Sequence, residues 1–159
     1  MTSLNNDIFF LERAIAIAHE SALQGGGPFG AIIVENGEII AEAGNCVRLH
    51  NDPTAHAEIE VIRQACEIKQ SHSLEHCVLY ASCEPCPMCL GAIYWARLSR
   101  LVFSATRHHA ARAGFDDNLI YSELSKTIAQ RSIQSTHTDL SSAHAVFELW
   151  IQKDDKERY

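Results

Sequence analysis

Phe29-Gly30-Ala31-Ile32-Ile33-Val34-Glu35-Asn36-Gly37-Glu38-Ile39-Ile40-Ala41-Glu42-Ala43-Gly44 holds two runs of strand-forming residues joined by Asn36-Gly37. Asn-Gly between apolar runs is a strong hairpin signal, because both turn positions require positive φ. We read strands over 29–34 and 38–44. Upstream, Asn6 or Asp7 can cap a first helix whose Ile8, Leu11, Ile15, Ala18 and Ala22 fall at helical spacing. That helix stops at Gly25-Gly26-Gly27-Pro28. Downstream, a loop over 46–54 closes at Asp52-Pro53-Thr54, with Pro53 in a first helical turn and Asp52 or Thr54 as its cap. A helix follows from about 55 to 69.

The remaining pattern continues this alternation. Residues 77–82 read as an apolar strand. A helix opens at Glu84-Pro85 and reaches about 97, and 101–105 is the next strand. Residues 106–118 read as a loop, 119–130 as a helix, and 132–142 as polar and featureless. A last helix over 143–152 would bury Val146, Phe147, Trp150 and Ile151. Helices alternating with strands after a hairpin predict a mixed sheet covered on both faces, one three-layer α/β domain over 1–159.

Composition agrees with one such domain. A chain of 159 residues, 47% hydrophobic and 21% charged, is globular in type and buries roughly 70% of its unfolded surface. The first twenty residues carry Asp7, Glu12, Arg13 and Glu20, so they hold no apolar signal-peptide core. Apolar stretches of about five residues fall far short of the roughly 20 that span a bilayer. A cytoplasmic protein with no membrane partner is expected. The net charge of −7 argues against nucleic acid as a partner, because such binding rests on excess Lys and Arg.

Six cysteines are too few for a disulfide scaffold, yet three lie between Cys83 and Cys89. Two short segments stand out at predicted helix starts: His56-Ala57-Glu58 and Pro85-Cys86-Pro87-Met88-Cys89. One His and two Cys make the three protein ligands of a catalytic zinc site, with the fourth position left for water. Zn²⁺, two thiolates and a neutral imidazole sum to zero charge, so the ion still acidifies its water. Glu58 supplies a proton carrier that a purely structural zinc site would not need. An iron–sulfur run would require a fourth Cys where Ile93 stands. Cys83 is read as the end of a strand, and Cys46, Cys66 and Cys77 as small core residues. The other histidines, His108-His109 included, read as surface or loop residues.

His-x-Glu with Pro-Cys-x-x-Cys is the signature of zinc nucleobase deaminases. On these residues the chain is identified as a member of the cytidine deaminase-like superfamily, and it resembles the small bacterial guanine deaminases. The resemblance runs through residues 27–31, 51–58 and 82–97, then Gly114-Phe115-Asp116-Asp117 and Tyr159. Tyr94-Trp95-Ala96-Arg97, the Gly-Phe-Asp-Asp stretch and the final Tyr favour guanine deaminases over tRNA adenosine deaminases.

The resemblance implies an α/β/α sandwich with a central mixed five-stranded sheet, cytidine deaminase-like, and a homodimer with one zinc ion per subunit. It implies His56, Cys86 and Cys89 as ligands, with Glu58 and Asp117 in catalysis. Phe29, Asn45, Ala57, Asp117 and Tyr159 would contact a small purine base. It also implies that the C-terminal segment, about 143–159, closes over an active site, its own or a partner's. Each role has a plainer alternative: Phe29 as core, Asn45 as a turn residue, Asp117 as a helix cap. The implied reaction is hydrolysis of guanine to xanthine and ammonia, a step of purine catabolism. A tRNA adenosine deaminase, favoured by Arg97, Arg100, Arg107 and Arg112, another small-base deaminase acting on cytosine or an aminated triazine, and a non-catalytic zinc-stabilised domain are the competing readings.

Overall fold

The hairpin forms as its sequence dictates. In the computed structural model, which describes residues 3–157, β1 (Gly30–Glu35) pairs antiparallel with β2 (Glu38–Gly44). Asn36 and Gly37 take φ of 51° and 84°, the left-handed pair that a two-residue turn needs. β1 also pairs antiparallel with β3 (Cys77–Cys83), and β3 pairs parallel with β4 (Arg100–Ala105). The sheet order is β2-β1-β3-β4.

The elements fall into a larger unit ending at Asp117 and a smaller one from Asn118 onward. In the larger unit, α1 (Ser3–Leu23) packs on one face of the sheet through Phe10 and Ile17 against Ile32, Val34 and Tyr80. The opposite face carries α3 (Ala57–Lys69) and α4 (Pro87–Trp95), where Val61, Ala65, Ile93 and Ala96 meet Ile33, Leu79 and Ala81. Alternate residues of β1 therefore enter different cores, so both kinds must be apolar. A one-turn helix, α2 (Val47–His50), joins β2 to α3. In the smaller unit, α6 (Asn118–Leu124) and α7 (Ser141–Gln152) flank a 3-10 turn at Ile128–Gln130.

Several expectations are corrected. Among the described residues the sheet has four strands, not five. The chain after β4 has helix signals and a polar stretch, with no alternating apolar run to add a strand. α5 (Arg107–Arg112) stands where a loop was expected, held by a capping box between Thr106 and His109. The helix expected over 119–130 ends at Leu124, and α7 leaves Val146, Phe147, Trp150 and Ile151 exposed. Neither Asp52 nor Thr54 caps α3, because Asp52 Oδ1 instead accepts from the Thr54 N–H at 2.8 Å and its hydroxyl at 2.7 Å. α4 starts later than Glu84-Pro85, with Pro87 at its first position. Tyr159 lies outside the described residues. No described helix is long and apolar enough to cross a membrane.

Asp7 is not a cap either. It lies inside α1, 8% exposed, where Arg100 donates to its two oxygens at 2.9 and 2.6 Å and the Tyr80 hydroxyl at 2.8 Å. Arg100 holds its carboxyl below the ordinary range, while burial and then Asp7 push the Tyr80 phenol up to about 12. This contact ties α1 to β3 and β4. Asp7→Ala should cost about 1–2 kcal/mol at neutral pH, measured by urea unfolding. Because the folded pKa is depressed, the contribution is present above the unfolded value of about 4 and is lost as pH falls through the folded one. The gap between native and variant protein should therefore close in acid; a gap that persists there would contradict the assignment.

Candidate active site

Two helix starts supply the site. His56 is the N-cap of α3 and Cys86 the N-cap of α4, both with extended backbone, and neither side chain caps its own helix. Both side chains are thereby free to meet across the gap between the two helices. His56 Nδ1 lies 3.6 Å from Cys86 Sγ and 3.5 Å from Cys89 Sγ, and the two sulfurs are 3.6 Å apart. A tetrahedral zinc ion with ordinary bond lengths separates its nitrogen and sulfur ligands by about 3.5–3.8 Å. The spacing and the donor set both suit zinc.

The electrostatics point the same way. The Cys89 thiol donates to Cys86, and that bond with the nearby His56 lowers Cys86 to about 4. Cys89, the donor, is correspondingly raised. A zinc ion held by these sulfurs and His56 would displace that proton. Cys83 also follows the sequence reading: it ends β3, is buried, and its thiol donates to the Thr106 carbonyl at 3.6 Å. Burial, aided by the charge of Glu58, pushes it up to about 11, so it remains a neutral thiol outside the trio. All six cysteines are free of disulfides.

Glu58 occupies the second position of α3 and is 7% exposed. Burial raises its carboxyl above the ordinary range, and the charges of Cys86 and His56 both act on it. Ala57, between His56 and Glu58, is fully buried, and its N–H belongs to the first turn that no helical carbonyl can satisfy. Asp117 is partly buried, and burial raises its carboxyl above the ordinary range, with the charge of Cys86 adding to the rise.

Phe29 and Asn45, both expected to contact the base, lie side by side. The Asn45 N–H donates to the Phe29 carbonyl at 3.1 Å, and Asn45 Oδ1 accepts from the Val47 N–H at 3.2 Å. Asn45 is thus also the turn residue that starts α2. Phe29 packs at the edge of the core below α3 and meets Phe115 edge-on, ring centres 5.0 Å apart at 86°. Phe115 has no role of its own in the sequence reading beyond its place in the Gly-Phe-Asp-Asp stretch, and its contact with Phe29 comes from the fold. A Cβ on Gly27 would stand 3.1 Å from the Phe29 ring and 3.3 Å from Asn45 Cγ. Gly27 therefore leaves the room these two side chains occupy. Behind them, the Ser21 hydroxyl donates to the Gly27 carbonyl at 2.8 Å. Glu84 fixes the other side, its N–H bonded to the Ala105 carbonyl at 2.8 Å and its carboxylate to the Arg107 N–H at 2.9 Å.

Residues 4–105, which include the trio and Glu58, match the cytidine and deoxycytidylate deaminase zinc-binding region. The chain belongs to this zinc-binding deaminase family. Guanine deaminase from Bacillus subtilis is 48% identical over 151 residues, 94% of this chain and 97% of the relative. The crystal structure of guanine deaminase from Bacillus subtilis matches with a TM-score of 0.93 at 46% identity, covering 100% of this chain and 99% of that one. This makes the fold cytidine deaminase-like. The tRNA-specific adenosine deaminase of Aquifex aeolicus is 44% identical over 97 residues, only 61% of this chain and 64% of the relative.

Metal analysis separates the trio from the neighbouring thiol. Cys86→Ala should yield folded protein without tightly bound zinc, whereas Cys83→Ala should retain it. Zinc lost equally from both variants would contradict the geometry.

Proposed function

We propose that the protein is a hydrolytic guanine deaminase, converting guanine and water to xanthine and ammonia. The observation that carries this reading is the buried Glu58 beside a zinc-matched His-Cys-Cys trio, in a chain similar to a guanine deaminase from end to end. Residues 1–159 would act as one deaminase domain. His56, Cys86 and Cys89 would hold the ion, which when bound supplies the Lewis acidity that makes water nucleophilic near neutral pH.

The chain's own groups then handle binding and protons. Phe29 presents an aromatic face to the flat base, backed by the edge of Phe115. Asn45 Oδ1 is engaged with Val47, so its amide N–H₂ is the group left to donate to a purine acceptor. The Ala57 N–H is a second donor. Glu58 takes a proton from the attacking water and delivers it to ring N3 as the new C2–O bond forms. The C2–N bond then breaks as the proton of the new C2 hydroxyl passes through Glu58 or Asp117 to the 2-amino group, which leaves as ammonia while C2–O becomes a carbonyl. Asp117 accepts from the paired N1–H and 2-amino group of guanine; adenine, with a 6-amino group and no N1–H, lacks that pair of donors.

A free base is supported over tRNA in that Arg100, one of the four arginines behind the tRNA reading, is paired with Asp7. We further read the protein as a cytoplasmic homodimer with one catalytic zinc ion per subunit. Exposed apolar side chains such as Leu4, Ile8 and Phe9 on α1 and Phe147 on α7 support association.

Glu58→Ala should keep its zinc and lose about 10²–10⁴-fold in guanine turnover. Full activity would remove Glu58 from the chemistry. Asp117→Ala should lose about 10–100-fold with unchanged metal content; unaffected turnover would return Asp117 to a helix-capping role. Gly27→Ala should raise KM for guanine severalfold by crowding Phe29 and Asn45, with kcat changed less.

A further inference from the structure

A second set of mixed donors stands outside the trio. Cys46, expected to be a small core residue, is only half-buried and belongs to neither hydrophobic cluster. Its Sγ, a ring nitrogen of His50 and a carboxylate oxygen of Glu60 all lie within 4.8 Å of one another. Local structure explains the meeting. Cys46 and His50 are four apart, and the His50 N–H bonds the Cys46 carbonyl at 2.9 Å, closing the single turn of α2 and placing both on one side. The Cys46 N–H in turn bonds the Ala55 carbonyl at 2.9 Å, which holds that turn beside the start of α3, where Glu60 projects.

We infer that Cys46, His50 and Glu60 form a second divalent-metal site, suited to zinc and distinct from the His56-Cys86-Cys89 trio. Sulfur, imidazole nitrogen and carboxylate oxygen together match zinc and are a poor set for the hard cations magnesium and calcium. A thiolate, a carboxylate, a neutral imidazole and a doubly charged ion sum to zero, so no net charge is left at a half-buried position. His50 is exposed, which leaves the fourth position to water and lets its ring move the short distance needed to close on an ion. Glu60 is already steadied from outside, because Arg63 donates to its Oε1 at 3.0 Å and leaves the other carboxylate lone pairs for a metal. The ion would clamp α2, whose N-cap Cys46 follows Asn45, to α3, whose first residues are Ala57 and Glu58. Its role is to fix one wall of the candidate active site, and no chemistry is routed through it.

The test counts metal on the full-length protein at micromolar free zinc. Native protein should bind two zinc ions per chain, and Cys46→Ser and Glu60→Gln should each bind one. The equivalent that remains should disappear only when Cys86→Ala is added, which keeps the two sites apart in the measurement. Zinc should also slow alkylation of Cys46 by iodoacetamide, read by mass spectrometry, in native protein and not in Glu60→Gln. The Glu60→Gln arm stands even if loss of the sulfur unfolds the loop. One ion per native chain, or a second ion that persists in both variants, would overturn the site.

Discussion

Three ligand atoms from two helix starts, 3.5–3.6 Å apart, set the constraint to which the rest of the larger unit answers. His56 and Cys86 are thirty residues apart in the chain and can meet only if α3 and α4 lie side by side on one face of one sheet. The mixed order β2-β1-β3-β4 accomplishes this. The chain leaves β2, crosses β1 through α3, enters β3, and returns through α4 to β4 on the same face. Small residues where the helices meet the sheet, among them Ala31, Ala57, Ala65, Ala81 and Ala96, let them approach closely enough for their first turns to share a metal. Both ligand segments begin at N-caps, where the helix end favours thiolate and where unpaired N–H groups remain for a substrate.

The parts around that constraint are supports. Ser21 reaches from α1 to the glycine-rich turn, so the helix on the far face of the sheet also positions Phe29 and Asn45. Glu84 joins the loop before Cys86 to the start of α5, beyond which lies Asp117. The Asp7–Arg100–Tyr80 contact secures α1 to the other edge of the same sheet. The Cys46, His50 and Glu60 donors extend this logic with a second bridge between the Asn45 loop and α3.

What could be read from the sequence was whatever local chemistry specifies. Asn36-Gly37 specified a turn because few residues tolerate that backbone, whereas the apolar spacing of α1 pointed to the wrong face: Ile8 and Ile15 are exposed, and Phe10, Ala14 and Ile17 meet the sheet instead. The trio was legible because metal chemistry fixes both ligand type and count. Other features were not local. Asp7 looked like a cap, and only the fold brings Arg100, ninety-three residues away, to its carboxylate. α5 has no apolar stripe and is held by Thr106 and His109, so its periodicity was silent. Phe115 gains its place from a ring contact with Phe29, and Cys46 joins His50 and Glu60 only after α2 turns back on α3. The fifth strand came from resemblance alone, and no alternating apolar run in this chain called for it.

This site acts on a free guanine base. Ammonia release by the zinc-loaded protein, measured side by side on guanine, adenine, cytosine, ammeline and a tRNA anticodon stem-loop, tests it most directly. Guanine should be turned over catalytically with stoichiometric xanthine, and adenine, cytosine and the stem-loop should release ammonia far more slowly. Turnover of the stem-loop with guanine left intact would contradict it.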